Sequence, residues 1–233
     1  MSNDNLGDRM KQHEHLRTVM LMPDLPILMR LDGRSFHTYT RGFARPYDTR
    51  MSNLMVDTMV ALSTEFKVTT AYTQSDEITL CIIPKGYDPE VKHQYEMPFG
   101  GRAAKLESLS ASFAGGYFNV QALTRITERA GKLAQFDCRV WQVPSLDEAA
   151  NVFLWRELDA QKNSVAMLAR CHFSDRELHG KGRADMKEML RTVGHPWEDM
   201  PAGFRRGTYW KRGEILSIPD LLEVENRPGV LFQ

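Results

Sequence analysis

Cysteine is scarce: the 233-residue chain has three, Cys81, Cys138 and Cys171. They are odd in number and far apart, and they form neither a zinc-ligand pattern nor a disulfide framework. A reducing cytoplasm is therefore the expected location. No run approaches about 18 uninterrupted apolar residues, so no membrane span is expected. The start, Met1-Ser2-Asn3-Asp4-Asn5, has no basic stretch leading into an apolar one, which argues against a signal peptide. An excess of either charge is also absent, since Lys+Arg and Asp+Glu each total 30. That excludes a wholly basic nucleic-acid binder and leaves room for a local basic face. Repeats and low-complexity tracts are missing too. What is present is a hydrophobic content of 42%, enough to bury a core. At about 150 residues per domain, the length fits one large domain or one domain with an extension.

The patterns fall into a definite order. Residues 4–20 read as a charged N-terminal helix. The apolar run 27–31 reads as a buried strand ending at Asp32-Gly33, followed by a loop. Met51, Leu54, Met55, Met59, Leu62 and Phe66 recur at helical spacing over 49–66. Two β-branched and aromatic runs, 68–73 and 78–83, flank Gln74-Ser75-Asp76-Glu77 and predict a hairpin. Residues 84–100 are rich in Pro and Gly and read as a loop, 101–128 as a helix with many small residues, and 136–143 as a strand. Strand, helix, strand, strand, helix, strand is the split βαβ, or ferredoxin-like, α+β unit. It predicts a four-stranded antiparallel sheet with two helices on one face, the first strand pairing with the third. Asp32 and Asp76-Glu77 should then meet at one sheet edge. Ser145 with Glu148 and Ser174 with Glu177 fit capping boxes for helices over 146–170 and 175–192. Residues 204–217 read as strands or an extended hairpin. The expected organisation is a core over 1–144 and a packed extension over 145–233, within one structural unit. Val230-Leu231-Phe232-Gln233 carries no weight in this reading.

Acids favour turns on their own account. Two acidic turns brought together are a different matter, because carboxylates in proximity repel unless a cation is shared. Magnesium takes hard oxygen ligands, a few carboxylates and substrate phosphates. Two ions here could activate a hydroxyl nucleophile and stabilise a leaving pyrophosphate. Gly33 lets the backbone come close to a ligand. The amides of Arg34, Ser35, Phe36 and His37 could form an anion-binding concavity. Arg102 and Lys105, one turn apart at a helix N-terminus, could hold a triphosphate or simply be a solvated face. Arg156, Asp159 and Asn163 make a polar stripe on a helix, open to reading as an RNA contact, an exposed face or an intrahelical pair. Arg205-Arg206 and Lys211-Arg212, interleaved with Phe204, Tyr209 and Trp210, suit RNA or a sheet edge equally.

The segments Arg30-Leu31-Asp32-Gly33-Arg34-Ser35-Phe36-His37, Tyr72-Thr73-Gln74-Ser75-Asp76-Glu77, Trp155-Arg156 with Asp159 and Asn163, and Arg206-Gly207-Thr208 occur in that order. Together they resemble the tRNA-His guanylyltransferase family and its Thg1-like relatives over roughly residues 5–212. The resemblance implies a polymerase-type palm and nucleotide addition to the tRNA 5′ end in the 3′-to-5′ direction. The 5′ end is activated by ATP or GTP, and the 3′-hydroxyl of an incoming GTP then attacks it. It implies Asp32, the Gly33 carbonyl and Asp76 as ligands of two magnesium ions, supported by Glu77. It implies residues 32–37 and Ser75-Asp76 as nucleotide contacts, Arg102 and Lys105 as triphosphate contacts, and a homotetramer built from dimers. The family's eukaryotic members carry His-Ile-Asn-Asn-Leu-Tyr-Asn where this chain has Gln161-Lys162-Asn163-Ser164-Val165-Ala166-Met167. That departure resembles the branch associated with templated repair of shortened tRNA 5′ ends. A nucleotidyl cyclase or signalling-nucleotide synthase on the same palm is the alternative. A non-catalytic RNA-binding module is a third reading, opposed by the retained acids, which would repel RNA phosphates.

Overall fold

The structure, a computed structural model, describes residues 6–16, 18–87, 94–216, 221 and 224–233. Parts of the expected 4–20 helix, 84–100 loop and 204–217 strands lie outside those residues. Six antiparallel strands make one sheet: β1 (Ile27–Gly33), β2 (Thr70–Gln74), β3 (Glu77–Ile82), β4 (Phe136–Gln142), β5 (Thr208–Lys211) and β6 (Glu214–Leu216), in spatial order β4-β1-β3-β2-β5-β6. The first four are the split βαβ arrangement. The β5–β6 hairpin extends it beyond β2, an addition that the first 144 residues could not reveal.

Alternation along the strands gives each face its own core. Ile27, Met29, Leu31, Ala71, Ile78, Leu80 and Ile82 point one way, against α3 (Thr49–Glu65) and α4 (Ala103–Arg125). Asp48 caps α3 by accepting the Arg50 N–H at 3.0 Å, and the Arg50 guanidinium beside it pulls its carboxyl down to about 2. Leu28, Tyr72, Cys81 and Tyr209 point the other way, against α5 (Leu146–His172) and α9 (Arg227–Phe232). The expectation placed both helices on one face. The second face is covered as well, because its strands carry apolar residues at alternate positions that need a partner. Leu231 and Phe232 are fully buried there, and the Leu231 carbonyl accepts from Thr70. Within the C-terminal Val230–Gln233 run, Leu231 and Phe232 are therefore core, while Gln233 is exposed.

Other boundaries moved for local reasons. Among the described residues of the expected first helix, Leu6–His15 is helical (α1) and buries no side chain. The loop after β1 contains α2 (Phe36–Tyr39). The expected 175–192 helix is two pieces, α6 (Asp175–Leu178), with the Ser174–Glu177 capping box intact, and α7 (Arg183–Thr192). Gly180, at φ +74°, breaks it. The first part of the expected 204–217 strands is α8 (Ala202–Arg206). It ends at Gly207, whose φ is +81° and where a Cβ would overlap the Tyr72 ring. The Tyr72 hydroxyl donates to the Arg206 carbonyl at 2.6 Å. The Arg206-Gly207-Thr208 motif is thus the joint that attaches β5 to the sheet. No helix among the described residues is long and apolar enough to cross a membrane.

Candidate active site

The end of β1 is held from both sides. Asp32 is in register with Glu77 of β3 and with Asp137 of β4. The Gly33 N–H donates to the Asp76 carbonyl at 3.1 Å, and the Arg34 N–H donates to the Gln135 carbonyl at 2.8 Å. Gln74 pairs with Glu77, so Ser75 and Asp76 form a two-residue turn, with Ser75 in the left-handed region at φ +51°. The two acidic turns anticipated from strand order are neighbours.

Electrostatics follow from that proximity. Burial lifts the Asp76 carboxyl above its usual range, the Ser75 hydroxyl donating at 3.0 Å opposes this, and the charge of Asp32 reinforces it. Burial also lifts Glu77, opposed by the Arg156 guanidinium, whose Nε donates at 2.6 Å. No three His, Cys, Asp or Glu side chains among the described residues converge on one point. A cation here would rest on Asp32, Asp76, a main-chain carbonyl and the phosphates it neutralises, which is the sparse ligand set magnesium accepts. The residues present fit it, since two close, partly desolvated carboxylates need positive charge.

Beyond Gly33 the chain turns through Ser35, at φ +55°, into α2. The Thr38 and Tyr39 N–H groups already donate to the Ser35 carbonyl, and the Arg34 N–H to Gln135, so of the four amides expected to form an anion concavity Arg34 is withdrawn into the sheet and those of Phe36 and His37 open the helix without an intrahelical acceptor. The Phe36 side chain does not join them. It is buried, with ring centroids 5.2 Å from Phe136 and 5.6 Å from Phe118, so only its backbone faces the site. That ring folds back over Gly33, and a Cβ at Gly33 would overlap it. Gly33→Ala is expected to cost about 1–3 kcal/mol by overpacking. Urea denaturation checks this; an unchanged midpoint would contradict it. His37 is exposed and near enough to Asp76 to oppose the lift of its carboxyl.

Arg156 is not an outward RNA contact. It is 6% exposed and bridges Glu77 to Asp159, 2.9 Å away, while Asn163 donates to Asp159 at 3.2 Å. Tyr209 and Trp210 are also buried, as sheet residues, and Phe204 stacks on Tyr47 at 4.9 Å, so the C-terminal aromatics are not a free stacking surface. Arg102 and Lys105 are not brought to the acidic turns within one chain. Leu21 donates to Gly101, and Met22 donates to the Gln142 side chain, whose strand position pairs with Ile27. The start of α4 therefore lies at the opposite end of β1, roughly 20 Å away at about 3.4 Å per strand residue.

Asp137, in register with Asp32, was assigned no role, nor was Arg139, and Arg30 was quoted only within the first motif segment. The signal was the alternation Phe136-Asp137-Cys138-Arg139, which becomes informative only when β4 is known to flank β1. A groove of about 480 Å³ adjoins this edge, between Arg34, Gln135 and Asp137 on one side and Ala111, Ser112 and Gly115 of α4 on the other.

A profile of the family described as tRNAHis guanylyltransferase (Thg1) matches residues 7–144. A protein of Acanthamoeba polyphaga mimivirus, described as "Uncharacterized protein R259", is 30% identical over 96% of this chain and 80% of its own length. A bacterial tRNA(His) guanylyltransferase (Thg1)-like protein solved in complex with ATP superposes with a TM-score of 0.88 at 31% identity, covering 98% of this chain and all of that one. A structure of such a bacterial protein in complex with GTP superposes at 0.75 with 30% identity, covering 94% and 95%. With its paired acidic turns and its six-stranded palm-like sheet, the chain belongs to the tRNA-His guanylyltransferase family of nucleotidyltransferases.

Proposed function

We propose that this chain is a magnesium-dependent nucleotidyltransferase that adds nucleotides to the 5′ end of tRNA in the 3′-to-5′ direction, using ATP or GTP to activate that end and GTP as an incoming nucleotide. The observation that carries this reading is the meeting of Asp32 and Asp76 at one end of the sheet, with Asp32 in register with Glu77 and Asp76 bonded through its carbonyl to Gly33. Magnesium, when bound, neutralises phosphate charge and lowers the pKa of an attacking hydroxyl. Asp32, Asp76 and the Gly33 carbonyl would hold it. The Phe36 and His37 amides at the turn after Gly33 would orient a triphosphate. Arg156 keeps Glu77 turned inward, so that the neighbouring Asp76 stays at the turn. In the transfer step the 3′-oxygen of GTP forms a bond to the activated 5′ phosphorus. The bond from that phosphorus to the activating nucleotide breaks, and the leaving group carries its charge away.

The departure at Gln161–Met167 favours templated repair over strict tRNA-His specificity. Incubation with radiolabelled GTP and tRNAs bearing intact or shortened 5′ ends tests this. Template-dependent extension of the shortened forms is expected. A cyclic or dinucleotide product from GTP alone, with no labelled tRNA, would overturn it in favour of a cyclase.

A further inference from the structure

Arg30 lies on a central strand two residues before Asp32, and alternation puts both side chains on the same face of the sheet. Interior strand positions favour apolar residues. Arg30 instead has Arg139 as its cross-strand neighbour on β4, and like charges placed directly opposite are unfavourable. Among the described residues neither guanidinium makes a side-chain hydrogen bond or a salt bridge, and the charge of Arg30 acts only at a distance, on the Glu77 carboxylate that Arg156 already holds. Above them stands Trp155 of α5, 51% exposed, with the Arg30 guanidinium 5.4 Å and that of Arg156 4.5 Å from its ring. Arg156 in turn reaches Glu77, the register neighbour of Asp32, so Trp155 is tied to the row of strand residues that carries the acids. A half-exposed indole beside Arg30 and the carboxylate-paired Arg156, with Arg139 across the strand pair from Arg30 and about 7 Å along the strand from the phosphate-transfer position, matches the chemistry of a nucleic-acid strand: a base to stack and phosphates to neutralise.

We propose that Trp155 is the stacking platform for the 5′-terminal base of the RNA, with Arg30 and Arg139 supplying the positive charge that draws its backbone onto β1 and β4. This rests on the reading of the chain as a tRNA 5′-end nucleotidyltransferase. The alternative source of a base, a free nucleoside triphosphate, is disfavoured because its phosphates belong at Asp32 and Asp76.

The test uses a tRNA with 2-aminopurine as its 5′-terminal base, with binding followed by anisotropy and stacking by fluorescence quenching. The wild-type protein is expected to quench the probe. Trp155→Leu is expected to bind without quenching and to raise the KM for tRNA about tenfold or more, with the KM for GTP unmoved. Trp155→Tyr should recover part of both. Equal quenching by Trp155→Leu, or Trp155-dependent quenching of 2-aminopurine riboside triphosphate alone, would overturn the proposal. A wild-type protein that labels tRNA yet leaves the probe unquenched overturns this inference by itself. One that neither binds nor labels tRNA overturns the functional reading together with it.

Discussion

Asp76→Asn lowers GTP transfer to tRNA by about a thousandfold or more, and at neutral pH it raises the melting temperature of the ligand-free protein. The first effect follows from removing one of two carboxylates that hold a cation, whose charge stabilisation is worth several kcal/mol at about 1.4 kcal/mol per tenfold. The second follows from the sign of the Asp76 shift. Burial, reinforced by Asp32, lifts this carboxyl above its usual range. A folded pKa above the unfolded value, about 3.9, means that ionisation is disfavoured in the native state. That cost is absent while the group is protonated in both states. It grows as pH rises through the carboxylate range and is complete above the folded pKa. Asn removes it and still accepts from Ser75. The stabilisation should therefore shrink to nothing as pH falls below about 4. Thermal melts at neutral and acid pH, alongside tRNA labelling, measure both parts. Wild-type transfer would refute the assigned role, and a variant less stable at neutral pH would refute the electrostatic account.

Arg156→Ala should be the most destabilising single change at the site, by about 3–5 kcal/mol, because it strands a buried carboxylate. Glu77 is 8% exposed and its partner 6%, and their contact is 2.6 Å. Asp159 also loses its partner at 2.9 Å. Replacing both members, as Arg156→Met with Glu77→Gln, should recover most of the loss, because the only charge left without its ion-pair partner is Asp159, which is partly exposed and still accepts from Asn163. A double-mutant cycle in urea reads the coupling. Additive losses would show that Arg156 acts by packing alone, and a loss under about 1 kcal/mol would show the pair to be screened like a surface bridge.

Where strand order alone determined geometry, the sequence was a sufficient guide. The alternation of 27–31, the helical spacing of 49–66 and the hairpin at 74–77 placed Asp32 beside Asp76 before any coordinates. The same topology, followed one step further, would have removed Arg102 and Lys105 from the site. β3 leaves the acidic turn and ends at Ile82, so α4 must begin at the far end of the sheet and run back towards β4. Arg156 could not be placed this way. A polar stripe on a helix reads as solvent-facing unless the surface beneath it is known to hold Glu77. Leu231 and Phe232 were opaque because a six-residue helix, Arg227–Phe232, is too short to show a period and its burial depends on α5 crossing the sheet.

On the proposed function, Asp32 and Asp76 jointly ligate a divalent cation beneath a nucleoside triphosphate. Crystals grown with manganese and GTP test it directly. Anomalous density about 2 Å from an oxygen of each carboxylate is the expected result. Density confined to other groups, with the two carboxylates turned apart, would contradict it.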